Sequence, residues 1–100
     1  MSRKITKESV SAFLDGRKFN KGNMRVVVES DRTELRLHGN TIAIIDALGV
    51  MSVCNAGWES NTTKERLNGL PNVSVHQKNW KWYLNGKEWD GSWKLVGFVK

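Results

Sequence analysis

"MRVVVESDRTELRLHGNTIAIIDALGVMSVC", Met24 to Cys54, is the stretch whose reading decides the fold. Met24, Val26 and Val28 alternate with Arg25, Val27 and Glu29; after the turn "SDR", Leu35 and Leu37 alternate with Glu34, Arg36 and His38. Successive side chains of a strand point to opposite faces, so this period of two marks strands with one face in a core and the other toward water. "HGN" supplies a turn through Gly39 and Asn40, and "TIAIID" is so uniformly apolar that it reads as a central strand. "DALG" turns the chain again before the short strand "VMSVC". The segment predicts an antiparallel meander of four strands.

Beyond the meander comes "GWESNTTKERLNGLP", Gly57 to Pro71, which has no strand periodicity. Pro71 forbids a helix running through it, and Gly69 suits the position just after a helix end. Thr62 followed three residues later by Glu65 matches a capping box, which predicts a helix of about two turns over 62–69, with Thr62 as its cap. Leu67 and Leu70 would anchor it, because so short a helix is not stable on propensity alone. Trp58 is expected to pack beneath its start. "VSVHQK" and "NWKWYLN" then read as another strand pair, with Trp80, Trp82 and Leu84 on one face and Lys81 and Tyr83 on the other. Asn85-Gly86 is a strong hairpin signal, and "SWKLVGFV" closes the sheet.

Upstream, Thr6 is a candidate N-cap, and Val10, Phe13 and Leu14 recur at helical spacing before Gly16 ends a short N-terminal helix. "RKFNKGN" follows as a basic loop with a turn at Gly22 and Asn23. The expected architecture is α+β: a single domain over residues 1–100, with an antiparallel sheet of about six to seven strands, a short N-terminal helix and a second short helix at 62–69.

Composition narrows the function classes. The chain is 39% hydrophobic and 26% charged, ordinary for a folded globular domain. Its single cysteine, Cys54, excludes an intramolecular disulfide and a cysteine-based metal site, so a reducing cytoplasm is expected. No apolar run approaches about 18 residues, so no membrane association is expected. His38 and His76 accompany no metal-ligand spacing, and the glycines form no phosphate loop. A Cys54–His38 nucleophilic pair is allowed by spacing, but Cys54 ends an apolar strand, where an inert buried thiol is the commoner outcome. Neither catalytic residues nor a cofactor is expected.

The net charge of +6 is concentrated at the start: seven of the sixteen basic residues and only two of the ten acidic ones lie within residues 1–25. Such asymmetry attracts polyanions. Arg3, Lys4, Arg17, Lys18, Lys21 and Arg25 are therefore candidate phosphate contacts. The start of the 62–69 helix, with Asn61, Thr62, Lys64, Arg66 and Asn68, offers backbone N–H groups, cations and amides to a nucleic acid. Five tryptophans in 100 residues are unusual, and four of them, Trp80, Trp82, Trp89 and Trp93, crowd into the last quarter. Most belong in a core, because rings fill space between few elements. One or two should be partly exposed and, interleaved with Lys81, Lys87 and Lys94, form an aromatic platform of the kind that stacks bases or anchors a protein partner.

"LHGNTIA" at 37–43, "GWESNTTKERLNGL" at 57–70, "AFLDGRKFNKGN" at 12–23 and "WYLNGKEWDG" at 82–91 together resemble a family of small proteins from tailed bacteriophages. The resemblance implies phage origin and expression in the host cytoplasm, and it transfers no catalytic or binding residue. The leading expectation is a phage accessory protein that binds nucleic acid, DNA ahead of RNA. The alternative is an inhibitor that binds a host enzyme or defence factor, with a homodimer allowed in either case.

Overall fold

The computed structural model describes residues 4–99. The polypeptide begins with helix α1, Lys4–Asp15, which a glycine at φ 70, Gly16, brings to an end. Then come β1 (Phe19–Lys21), β2 (Met24–Val28), β3 (Arg32–Leu37), β4 (Asn40–Asp46) and β5 (Val50–Val53). Helix α2 (Asn61–Asn68) separates these from β6 (Val75–Lys78), β7 (Lys81–Leu84), β8 (Lys87–Trp89) and β9 (Lys94–Phe98). The class is α+β, as the sequence predicts, but the strands among the described residues form two sheets. One has the order β1-β2-β3-β4-β5-β9 and the other β6-β7-β8, with every pair antiparallel.

One strand, β1, lies where a loop is predicted, and another, β8, completes the hairpin that Asn85-Gly86 signals. The basic loop folds back as β1, since Gly22 at φ 58 lets Phe19–Lys21 pair with Met24–Val26. Asn85 and Gly86, both at positive φ, turn the chain tightly enough for Lys87–Trp89 to pair with Trp82–Leu84. The tail closes a sheet as expected, pairing with β5 of the large sheet and not with the hairpins that precede it in the chain.

Residues paired across strands share a face, so the register assigns the two faces of the large sheet. Met24, Val26, Leu35, Leu37, Ala43, Ile45, Met51 and Val53 are all buried on the inner one. Val10, Ala12 and Phe13 of α1 join the same cluster, as do Leu67 and Leu70 around α2, and Val75, Trp82, Leu84 and Trp89 of the small sheet. One core thus unites both sheets and both helices. The Cα radius of gyration is 12.5 Å, close to the ~13 Å of one compact domain of this length. Each fully buried large apolar side chain contributes about 1.5–3 kcal/mol, and Phe13, Leu35, Met51 and Leu67 are at 0% exposure.

Two predicted caps are displaced. Ser60, at φ −121 and ψ 162, caps α2 by accepting from the Thr63 amide, so Thr62 lies inside the helix and is not its cap. Thr6 is likewise inside α1 and fully buried, its hydroxyl donating to the Glu65 carboxylate at 2.7 Å.

Candidate binding groove

The 61–68 segment is spent largely on the fold. Arg66 is 2% exposed; its Nη1 donates to Thr6 Oγ1 at 3.0 Å and to Glu65 Oε1, and its Nη2 to Asn23 Oδ1 at 3.2 Å. This guanidinium ties α2 to α1 and to the β1–β2 turn, and it is not available to a ligand. The Asn68 amide clamps β6, donating to the Val75 carbonyl at 2.9 Å and accepting from the Val75 N–H at 2.7 Å. Lys64 donates to Gln77 Oε1 at 3.0 Å and its ammonium stands 5.7 Å from the Trp82 ring centre, a cation–π contact. Asn61 is exposed and Thr62 half-buried. The segment is a corner that fastens two helices and a sheet.

The N-terminal cations are divided. Arg3 lies outside the described residues. Arg17 pairs with Asp15 and Lys21 with Glu8, each at 3.1 Å and exposed, so each contributes no more than about 1 kcal/mol. Lys4, Lys18 and Arg25 are exposed and make no ion pair among the described residues. Arg25 stands across the ladder from Arg36, whose guanidinium Nη2 is 3.0 Å from Glu34. Glu34 is buried on the outer sheet face, and burial alone would push its carboxyl up. Hydrogen bonds from Arg32, Arg36 and Thr41 outweigh burial and hold it below the usual carboxylate range.

The tryptophans separate into core and surface. Trp82 and Trp89 are 2% and 7% exposed and form a tilted pair with ring centres 6.2 Å apart. Trp89 Nε1 donates to the Ser92 carbonyl at 2.8 Å, whereas Trp82 Nε1 has no partner among the described residues. Trp58, expected beneath α2, is exposed instead, and so is Trp93. Trp80 is 92% exposed because it occupies the turn and does not belong to strand β7.

That turn is unusual in its chemistry. Three hairpins turn on two residues that both have positive φ: His38–Gly39 between β3 and β4, Asn85–Gly86 between β7 and β8, and Asn79–Trp80 between β6 and β7. The first two place glycine second, as left-handed backbone favours. The third places Trp80 there, at φ 69. On either side Lys78 and Lys81 face each other across the ladder, a like-charge pair that costs stability. Further along the same hairpin, His76 stacks on Tyr83 with ring centres 5.1 Å apart.

A groove of about 730 Å³ opens beside this tip. Trp80, Trp82, Leu84 and Trp89 form one wall, and Leu95 and Val96 of β9 the other. Lys81, Lys87 and Lys94 stand on its rim with Glu59, Glu88 and Asp90. The rim is balanced in charge: Lys81 pairs with Glu88 at 3.2 Å, and the Asp90 carboxyl is held low by hydrogen bonds from the Ser92 hydroxyl and amide. The aromatic and lysine residues singled out in the sequence are thus brought together here, except Trp93. Two participants were missed. Leu95 is 67% exposed and, with Phe98 nearby at 70%, gives β9 an apolar surface. Only the "LVGF" run, which contains Gly97, hinted at it. The other missed feature is the turn position of Trp80, which the Asn–X–Lys pattern that Asn79–Trp80–Lys81 shares with Asn85–Gly86–Lys87 could have revealed.

Cys54 is buried, its Sγ donates to the Thr41 carbonyl at 3.2 Å, and burial pushes its thiol up. Among the described residues no group of three or more His, Cys, Asp or Glu side chains is placed to hold a metal ion, and no helix is long and apolar enough to cross a membrane.

The sequence family described as Kyanoviridae Gp96 protein matches residues 2–99, and the chain belongs to this bacteriophage family. No curated protein and no solved structure matches the chain.

Proposed function

We propose that this phage protein is a non-enzymatic binding module that acts in the host cytoplasm by docking on another protein, with Trp80 and the adjoining groove as the contact surface. The observation that carries the reading is Trp80 itself, held at φ 69 and 92% exposed in a turn whose two counterparts use glycine. A residue that costs folding energy and packs against nothing is retained for what it meets outside the molecule. Exposed tryptophans beside a preformed apolar pocket are the composition of protein–protein hot spots.

Binding of nucleic acid is the weaker of the two expectations for two reasons. Arg66 and Asn68 are consumed within the fold, and the groove rim carries as many carboxylates as lysines. A phosphate backbone needs a rim that is net positive. The exposed Lys18 and Arg25 favour that alternative, so the test includes it.

The experiment is affinity capture from host lysate, with and without nuclease, comparing wild type with Trp80→Gly. The expected result is a protein retained after nuclease treatment and lost with the variant. Capture abolished by nuclease, together with oligonucleotide binding whose log–log salt slope is near −3.6, the value for about four phosphates, would overturn the reading in favour of nucleic acid.

A further inference from the structure

The two sheets have four terminal strands, and three of them are protected in the ways sheet edges usually are. β1 presents Asn20 and Lys21, β6 presents His76, Gln77 and Lys78, and β8 presents Lys87 and Glu88, all exposed and polar. Short, charged edges of this kind resist pairing with a foreign chain. β9 is the exception: it is hydrogen-bonded to β5 alone and exposes Leu95 and Phe98.

A bulge arranges this exposure. Ser52 faces Leu95 and Val50 faces Phe98, so two steps of β5 span three steps of β9. Since Val50 and Ser52 share a face, the extra residue turns Leu95 and Phe98 to that same face. β9 also forms a wall of the groove, and β8, likewise a terminal strand, contributes Lys87, Glu88 and Trp89 to it. The groove is thus lined by two strands that each have one unpaired side. The ligand class whose own backbone complements such an edge is an extended polypeptide; a nucleic acid has no equivalent alternation of N–H and C=O groups. β8 and β9 each open on a lysine without an ion pair among the described residues, Lys87 and Lys94.

We propose, resting on the protein-docking reading above, that the partner contributes an extended segment that adds a strand to the free edge of β9, sets apolar side chains against Trp80 and Leu95, and carries acidic residues opposite Lys87 and Lys94. The main-chain ladder supplies affinity and the Trp-lined groove supplies selectivity.

The test uses a displayed library of random linear peptides selected on the full chain, followed by synthesis of the most enriched sequence. The expected selection is an alternating apolar pattern with flanking Asp or Glu. The synthetic peptide should slow hydrogen exchange at β9 amides and bind on the order of a hundredfold more weakly after N-methylation of alternate residues. Leu95→Asp should abolish it. Because an effect of that change on the edge itself would give the same loss, Lys94→Glu serves as the second variant and should weaken the acidic-ended peptide while strengthening one with basic ends. Selected peptides that bind as helices, or that leave β9 exchange unchanged, would overturn the inference. So would self-association in sedimentation that Phe98→Asp abolishes, because a second copy would then occupy the edge. If no peptide is enriched while lysate capture still depends on Trp80, strand addition is wrong and protein docking stands; if both fail, the docking reading falls as well.

Discussion

At Trp80 the backbone and the side chain have opposing preferences. A Cβ in left-handed backbone costs about 1–2 kcal/mol, and Trp80 regains none of it through packing because it is 92% exposed. Trp80→Gly should therefore raise the unfolding free energy by about 1 kcal/mol, read by urea denaturation, while removing partner capture. A destabilised variant would mean that the ring packs in solution and is not held out for a partner. Glu34 poses the opposite case, a carboxylate buried on an otherwise open sheet face and kept charged by Arg32, Arg36 and Thr41. Its folded-state pKa is lowered, so its contribution is present above the unfolded-state value and is lost as pH falls through the depressed one. In thermal melts across that acidic window the wild type should lose stability more steeply than Glu34→Gln, whose side chain does not titrate. Both residues were recognisable in the sequence as an aromatic and a charged position near strands, but the exposure of Trp80 depends on where the β6–β7 turn falls, and the burial of Glu34 on the side chains of Arg32, Arg36 and Thr41 closing over it.

Among the elements, α2 shows what a local window can and cannot reveal. Its existence and its end at Asn68 follow from Leu67, Gly69 and Pro71, all close in the chain. Its cap was misplaced because "SNTTKE" contains two overlapping cap patterns, Ser60 to Thr63 and Thr62 to Glu65. Glu65 looked like a capping partner, yet its carboxylate accepts from Thr6 and Arg66, contacts no local pattern encodes. The consequence is testable by paired substitutions in denaturant melts. Ser60→Ala should cost about 1 kcal/mol, and Thr62→Ala no more than about 0.5 kcal/mol. The reverse order would restore Thr62 as the cap. Strands β2 to β5 and the Asn85–Gly86 hairpin were equally legible, since alternation and turn residues are short-range signals. β1 was missed because three residues, one half-buried and two exposed, carry no alternation to detect.

For the molecule as a whole, the division into two sheets was illegible because it rests on β9 pairing with β5, strands that α2 and an entire hairpin sheet separate in sequence. The groove wall formed by β9 exists only because of that return, so its tryptophans and lysines were named in advance while Leu95, Val96 and the assembly were not. What holds the return in place is a tight clasp. The Asn55 backbone N–H donates to the Gly91 carbonyl at 3.0 Å, and a Cβ on Gly91 would come within 2.1 Å of Asn55 Nδ2. Asn55 is buried and its Oδ1 in turn accepts from the Gly57 N–H at 2.9 Å. Gly91, at φ 89, is thus required both by conformation and by space. Gly91→Ala should cost roughly 2–4 kcal/mol, measured by calorimetry. A cost near zero would show that the junction can yield. The clasp also bears on how fast a partner is taken up. With β8 and β9 fixed on either side before any encounter, stopped-flow traces should show one phase whose rate rises linearly with partner concentration, without the plateau that a slow opening step would impose.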